Sequence, residues 1–335
     1  MIFDPMNSNG QGHPEIMGFQ RMNELGASGT PFFFMVDFEM ENVLVHEMGE
    51  LEEIFFDVNG IKNHEFSYQS NEIPLIKGRI SFLDYKTAFD LVYKELHYGN
   101  TFLLNLTRAT DIELKNSLFE IFLNTKAKYK LFYKDEFVCF SPEPFVKIRN
   151  NTIASYPMKG TANANIPHAA EKLMNNEKEL SEHYTIVDLI RNDLSIVSEN
   201  VRVSKFRYLE TVSSNDQTLY QLSSKIEGDL PLDWKSNIGS IMEKLLPAGS
   251  ISGAPKKKTI EIIQAAEKQK RGFYTGIMGY FDGESLDSGV MIRFIEKKGE
   301  QYLYRSGGGI TFQSDLNAEY SELIDKIYVP VFRND

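Results

Sequence analysis

Cysteine is almost absent from this chain: 335 residues contain one, Cys139. A single thiol cannot close an internal disulfide, so a packed core must hold the fold, and a reducing, cytoplasmic setting is expected. Long apolar runs are missing too, and no stretch approaches the length of a membrane span. The opening MIFDPMNSNGQGHPE has no basic start and no apolar segment, so no secretory signal is expected. Positive charge is in deficit. The net charge of −11 argues against a nucleic-acid groove or an anionic membrane surface as the main partner. An anionic substrate would therefore need a metal ion or a few placed Arg and Lys residues. There are no internal repeats and no long low-complexity linker. The hydrophobic share of 42% is enough for a sizeable core.

Several common catalytic signatures are also missing. GSISGAPKKKT has the look of a phosphate loop, but Gly253 is followed by Ala254 and Pro255 instead of Lys and Ser/Thr. HEMGE begins like a zinc-binding H-E-x-x-H, yet Glu50 stands where the second histidine belongs. Ser306-Gly307-Gly308-Gly309 is not a dinucleotide fingerprint and opens no helix, and no Ser/His/Asp arrangement is visible.

Hydrophobic periodicity predicts helices over 14–26 (ended by Gly26), 80–99 (ended by Gly99), near 115–124, through 168–197, and over 254–268 and 316–328. Strands are predicted at 31–38, 102–110, 128–134, 136–141, 145–156, 276–282, 290–298 and 301–310. The strand runs are sequential and hairpin-like, and the helices are clustered. This pattern implies an α+β fold with antiparallel sheets, not a doubly wound one. Residues 1–30 read as a loose segment followed by a helix, and 31–335 as one catalytic domain.

Two E-x-x-E pairs stand out: Glu179 with Glu182, and Glu319 with Glu322, about 140 residues along the chain. Carboxylates three apart on a helix share a face and repel. Two such pairs on apolar helices suggest a cation between them, and oxygen-only ligands suit Mg²⁺ or Mn²⁺ better than zinc. Either pair alone is also what a solvated face of an acidic protein would show. Twenty residues before the first pair stands Lys159, at the end of a predicted strand entering a Gly-containing turn. It reads either as a solvated charge or as an amine held in a pocket. An amine that attacks carbon must be neutral, which desolvation or nearby positive charge favours.

The motifs together decide more than each does alone. Ser141-Pro142-Glu143, PMKGT at 157–161, KELSEHYTIVDLIRNDL at 178–194, LLPAGSISGAPKKKTIEII at 245–263, RGFYTGIMGY at 271–280, MIRF at 291–294 and SGGGITFQSDLNAEYSELIDK at 306–326 follow in this order. In order and spacing the chain resembles the chorismate-utilising enzymes over roughly residues 75–330. The resemblance implies a sandwich of two antiparallel sheets with helices outside. It implies Mg²⁺ held by Glu179, Glu182, Glu319 and Glu322, with Glu182 and Glu322 nearest the metal, and a ring carboxylate of the substrate on that metal. It places Tyr274, Arg293 and the amides around Gly307 and Gly308 on the enolpyruvyl carboxylate, which suits an Arg fork and a nest of N–H groups. Lys326, one helical turn beyond Glu322, would neutralise the site or form a surface i,i+4 pair. The resemblance also implies a close-approach turn at Gly249, Ser250, Gly253 and Ala254, with Ser250 a substrate-binding candidate, and Pro255 fits the start of the next helix.

Within the family, lysine at 159 resembles the aminodeoxychorismate synthase branch, since the branches that make anthranilate or isochorismate have alanine there. That branch implies covalent catalysis: the lysine attacks C2 as the C4 hydroxyl leaves, and ammonia then attacks C4. Glu143 matches the general acid, and Thr161 of the same motif is a further catalytic candidate. Leu103 stands where water-adding members carry lysine. Gln221 replaces a histidine of the anthranilate-forming branch, and Ala162, Asn163 and Ala164 replace Arg-Pro-Arg. The N-terminal part lacks the Leu-Leu-Glu-Ser segment of tryptophan feedback sites, so no such regulation is expected. No glutaminase region or fused second enzyme is present in the sequence. Ammonia is therefore expected from solution or a separate glutamine amidotransferase subunit, with a separate lyase completing 4-aminobenzoate for folate synthesis. The alternatives are anthranilate synthase component I, isochorismate synthase, or a non-catalytic chorismate-binding homologue.

Overall fold

The computed structural model describes residues 14–67, 73–213 and 218–330, and within these the side chains of residues 14–16, 159, 161, 178, 212 and 213 are excluded. Residues 1–13, expected to be loose, lie outside the described residues. The helices are α1 (Pro14–Ser28), α2 (Phe82–His97), α3 (Leu118–Asn124), α4 (Ala169–Met174), α5 (Glu177–Ser195), α6 (Ile238–Leu245), α7 (Gly249–Ser252), α8 (Lys256–Glu267) and α9 (Leu316–Asp325). The strands are β1 (Phe32–Val36), β2 (Val43–Glu47), β3 (Ile54–Val58), β4 (Ile61–Lys62), β5 (Leu75–Lys77), β6 (Leu103–Leu114), β7 (Tyr129–Tyr133), β8 (Phe137–Ser141) and β9 (Pro144–Arg149). They continue with β10 (Thr152–Ser155), β11 (Met158–Asn163), β12 (Glu199–Ser213), β13 (Thr218–Asp229), β14 (Gly253–Ala254), β15 (Ile277–Phe281), β16 (Leu286–Val290), β17 (Phe294–Lys298) and β18 (Gln301–Ile310).

The described strands form two nine-stranded antiparallel sheets. One runs β11-β13-β10-β9-β16-β15-β1-β2, with β12 on β13; the other runs β14-β6-β18-β17-β8-β7-β3-β4, with β5 on β6. Strand β1 shows why they pack face to face. Its five residues, FFFMV, are all buried, and side chains alternate between faces. Phe33 and Met35 join the core between the sheets, while Phe32, Phe34 and Val36 join the core under the helices. Across the sandwich, Phe33 stacks on Phe56 of β3 with ring centroids 4.6 Å apart. Each such buried ring contributes roughly 1.5–3 kcal/mol. Helix α2 forms as its pattern predicts. Tyr85, Ala88, Phe89, Val92 and Leu96 are buried along one stripe, Ser81 accepts the Asp84 N–H at the start, and Gly99 closes the end with φ +75°.

Besides the run over 145–156, which is the hairpin of β9 and β10 turning at the left-handed Asn150 and Asn151, three expectations change. Helix α1 runs through Gly26, and the left-handed Gly29 (φ +68°) ends it. Gly26 is needed for close packing instead: a Cβ there would lie 2.0 Å from the Lys235 carbonyl oxygen. The segment 168–197 is two helices, separated at Asn175 and Asn176, and Asn176 caps α5 by accepting the Glu179 N–H at 3.1 Å. The third change positions the site. The expected strand over 290–298 is β16 and β17, which belong to different sheets. The chain crosses between sheets at Met291–Arg293, with Arg293 at φ +54°.

A second crossing runs beside it. Strand β8 pairs with β17 in one sheet, β9 pairs with β16 in the other, and Pro142-Glu143 links them. The two crossings are bonded to each other: the Val290 N–H donates to the Glu143 carbonyl and the Phe140 N–H to the Arg293 carbonyl, both at 3.0 Å. Glu143 and Arg293, 150 positions apart, therefore sit together on one seam of the sandwich.

Candidate active site

The seam opens into two adjoining cavities. One, of about 120 Å³, is lined by Glu143, Ser250, Tyr274, Arg293, Arg305, Gly307 and Lys326, among others. The other, of about 260 Å³, is lined by Leu103, Glu143, Met158, Glu182, Ser250 and Lys326, among others. Glu143, Ser250, Lys326 and Asn105 border both. The fold thus gathers residues that the sequence spreads over more than 220 positions.

The short helix α7 delivers Ser250, whose hydroxyl donates to Glu143 Oε1 at 2.6 Å. This bond fixes the carboxyl group at the cavity wall. Tyr274 is buried, and burial pushes its phenol well above the ordinary tyrosine range, so it stays a neutral hydrogen-bond donor. Arg293 donates from Nη1 to the Lys326 carbonyl at 2.9 Å and lies over the Tyr328 ring, 4.6 Å from its centroid. These contacts hold the guanidinium without using a carboxylate.

Gly307 and Gly308 belong to a regular strand, not a nest. From Ser306 to Ile310, β18 pairs with β6, while its pairing with β17 stops at Arg305. The Gly307 carbonyl faces the edge away from β6 and accepts Lys326 Nζ at 2.8 Å. In an antiparallel strand a residue's N–H points the same way as its C=O, so the Gly307 amide also faces the open edge.

The two glutamate pairs lie on α5 and α9, as the i,i+3 spacing requires. Around Gly308, a methyl group placed on the Cα would lie 3.5 Å from Glu319 Oε2, 3.8 Å from Glu322 Oε1 and 3.7 Å from Lys326 Nζ. The Gly308 Cα thus lies close to all three side chains. Glu319 is buried and accepts Ser314 Oγ at 2.7 Å. Glu322 is more exposed and pairs with Lys326 at 2.7 Å. Lys326 is therefore both an i,i+4 partner and a cavity residue. On α5, Glu182 lines the larger cavity, and Glu179 Oε2 is buried with no hydrogen-bond partner. Among the described residues, no three His, Cys, Asp or Glu side chains are gathered so as to hold a metal by themselves.

Lys159 lies within β11, at a break in its ladder with β13. Met158 opposes Ser223 and Thr161 opposes Gln221, so Lys159 and Gly160 together span one residue of the partner strand. That is a β-bulge, a device that re-aims a strand beside a site. Gly160 has φ +81°, and a Cβ there would lie 3.2 Å from Glu179 Oε2 and 3.0 Å from Leu173 Cδ1. Both the conformation and the contact require glycine. The side chains of Lys159 and Thr161 lie outside the described residues. Gln221 donates its amide to Met158 Sδ at 2.7 Å, and Leu103 lines the larger cavity.

Sequence reading missed four contributors. Arg305 and Asn105 line the smaller cavity. Behind its wall, Arg271 and Glu267 form a fully buried pair at 2.7 Å. Arg271 also donates to the carbonyls of Asn105 (2.6 Å) and Ile251 (3.0 Å), and Glu267 accepts the Thr107 N–H at 2.8 Å. For Arg305 the available signal was the one charged residue in the strand run QYLYRSGGGI.

Residues 32–331 match the chorismate binding enzyme family. The chain belongs to that family. A PabA-like protein of Pasteurella multocida is 51% identical over 316 residues, covering 93% of this chain and 98% of that protein. Aminodeoxychorismate synthase component 1 of Salmonella typhimurium is 32% identical over 260 residues, covering 73% of this chain and 56% of the synthase. Among solved structures, anthranilate synthase component I from Streptococcus pneumoniae TIGR4 aligns with a TM-score of 0.66 at 26% identity, over 78% of this chain and 60% of that one. The α+β sandwich of this chorismate-binding chain is thus shared with known relatives. Two of those relatives are named for different products. No described helix is long and apolar enough to cross a membrane.

Proposed function

We propose that this chorismate-binding enzyme aminates chorismate at C4, giving 4-amino-4-deoxychorismate for 4-aminobenzoate and folate synthesis. Ammonia would come from a separate glutamine amidotransferase subunit, and a separate lyase would act on the product. The observation that carries this reading is lysine at position 159, on a bulge whose Gly160 packs against Glu179. Leu103 supports it, because an aliphatic side chain in the cavity wall cannot activate water for attack at C2.

The donor set fits a magnesium ion. Glu179, Glu182, Glu319 and Glu322 offer only carboxylate oxygens, and the orphaned Glu179 Oε2 is a buried acceptor in want of a partner. Mg²⁺ commonly takes one or two carboxylates and completes its shell with water and substrate oxygens. When bound, it would neutralise the substrate's ring carboxylate. The chain's own groups do the rest. The Lys159 amine adds to C2, the double bond shifts, and the C4–O bond breaks. Glu143, held by Ser250, supplies the proton with which the oxygen leaves as water. Ammonia then adds at C4, the double bond shifts back, and the C2–N bond breaks to return the lysine amine. The proton lost by the attacking amine restores Glu143. Chorismate and ammonia give the amino product and water.

Product analysis tests the reading. The pure chain is incubated with chorismate, Mg²⁺ and ammonium, with and without an added aminodeoxychorismate lyase, and products are identified by chromatography and mass. The expected result is 4-aminobenzoate only when the lyase is present. Appearance of 2-aminobenzoate or isochorismate would assign the chain to another branch.

A further inference from the structure

Arg305 is a charged residue inside a core, with its exposure down to 2%. Its guanidinium is only partly used. Nε donates to Glu296 Oε1 at 2.7 Å, and Nη2 lies 2.7 Å from the same oxygen. Nη1 is buried and has no hydrogen-bond partner. Leaving a buried cationic donor unmet is costly, so a native orphan of this kind calls for a ligand. Arg305 lines the smaller cavity together with Tyr274, Arg293 and Gly307. Asn105, on the same face as Arg305, also lines the cavity, and its Oδ1 is buried without a partner. Glu296 and Lys298, 3.5 Å apart, show that Arg305 shares its own counter-ion with a surface lysine. Among the residues lining the cavity, Arg293, Arg305 and Lys326 are basic and Glu143 alone is acidic.

We propose that Arg305 is a second anchor for the carboxylate that Arg293 receives. Glu296 holds one side of the guanidinium in place, and Nη1 is presented to the ligand. A carboxylate can accept from two guanidiniums at once, one on each oxygen, with the Tyr274 hydroxyl as a third donor. The pocket would then select ligands with a full negative charge at this point. This inference rests on the reading that the cavity takes chorismate, with its enolpyruvyl carboxylate at the Arg293 end.

The test measures binding by equilibrium dialysis, using the intact chain with Mg²⁺ present and without ammonia. Two ligands are compared: chorismate, and chorismate methylated at the enolpyruvyl carboxylate. Wild type is expected to bind chorismate more tightly than the ester. Arg305→Met is expected to lose about ten- to hundredfold affinity for chorismate, the usual worth of a hydrogen bond to a charged group, with ester binding within twofold of wild type. A purely structural role for Arg305 would weaken both ligands alike, and that result overturns the proposal. So does a folded variant that binds chorismate like wild type. If Arg305→Met fails to fold because Glu296 is left alone, Arg305→Met with Glu296→Met removes both charges and the same comparison is made. If wild type binds neither ligand, the chorismate reading itself falls and takes this inference with it. Loss of the inference alone is marked by wild-type binding that the variant retains.

Discussion

One wall of the site is irregular and the other is regular. The irregular wall is the seam, where Glu143 and Arg293 sit on paired sheet crossings, together with the bulge at Lys159. The regular wall is α5 and α9, whose glutamates follow ordinary helical spacing. The helical wall depends on local sequence, because residues three apart share a face wherever a helix forms. The seam depends on pairing between strands about 150 positions apart. Groups that must meet in one geometry are thus placed by long-range backbone bonds, while groups that could gather around a shared ion come from helices. Long-range ladders are harder to shift than single side chains, which suits residues acting on particular bonds.

Three substitutions test that contrast. Lys159→Ala, on the irregular wall, is expected to lower C4 amination by roughly 10³-fold or more while chorismate affinity changes little. Single-turnover product measurement with a parallel dialysis checks both, and near-normal rates would remove Lys159 from the chemistry. On the helical wall, Glu322→Gln is expected to raise the Mg²⁺ concentration for half-maximal activity by about ten- to hundredfold. An unchanged metal titration would remove Glu322 from any metal site and erase the distinction between the walls. The smallest effect belongs to Ser250→Ala, which removes the bond to Glu143 but leaves the seam intact. A loss of about 0.5–1.5 kcal/mol corresponds to a few-fold drop in kcat with KM unchanged. A much larger drop would mean that α7, and not the seam, sets the position of Glu143.

The contrast also explains what could be read in the sequence. Helix α2 was legible from its apolar stripe, and its Gly99 stop held. The glutamate pairs, Lys326 and the fold class were legible for the same reason: their signals are local or come with the family motifs. The crossing at Met291–Arg293 was not, because VMIRFIEKK alternates well enough to pass for one strand. Its break needs a left-handed Arg293, a conformation that no glycine or asparagine announced. Gly26 misled in the opposite direction, since a glycine needed for helix contact looks the same as one that ends a helix. The β12–β13 hairpin also escaped notice. ENVRVSKFRYLETVS is charged throughout and leaves most of its length half-buried or exposed, so no clear apolar alternation marks it. Arg305 belongs to the last group, being defined by what its neighbours in space fail to satisfy.

The bulge at Lys159 and Gly160 also limits which genetic changes this segment can absorb. On the proposed mechanism, replacing the lysine codon would alter the chemistry and leave the strand's length unchanged. Deleting either codon would leave a single residue opposite Leu222, restore a one-to-one ladder between Met158 and Thr161, and remove the bulge that re-aims the strand there. Divergence here should therefore proceed by exchange of residues at constant length, so that one scaffold can change its reaction in a single step without being rebuilt.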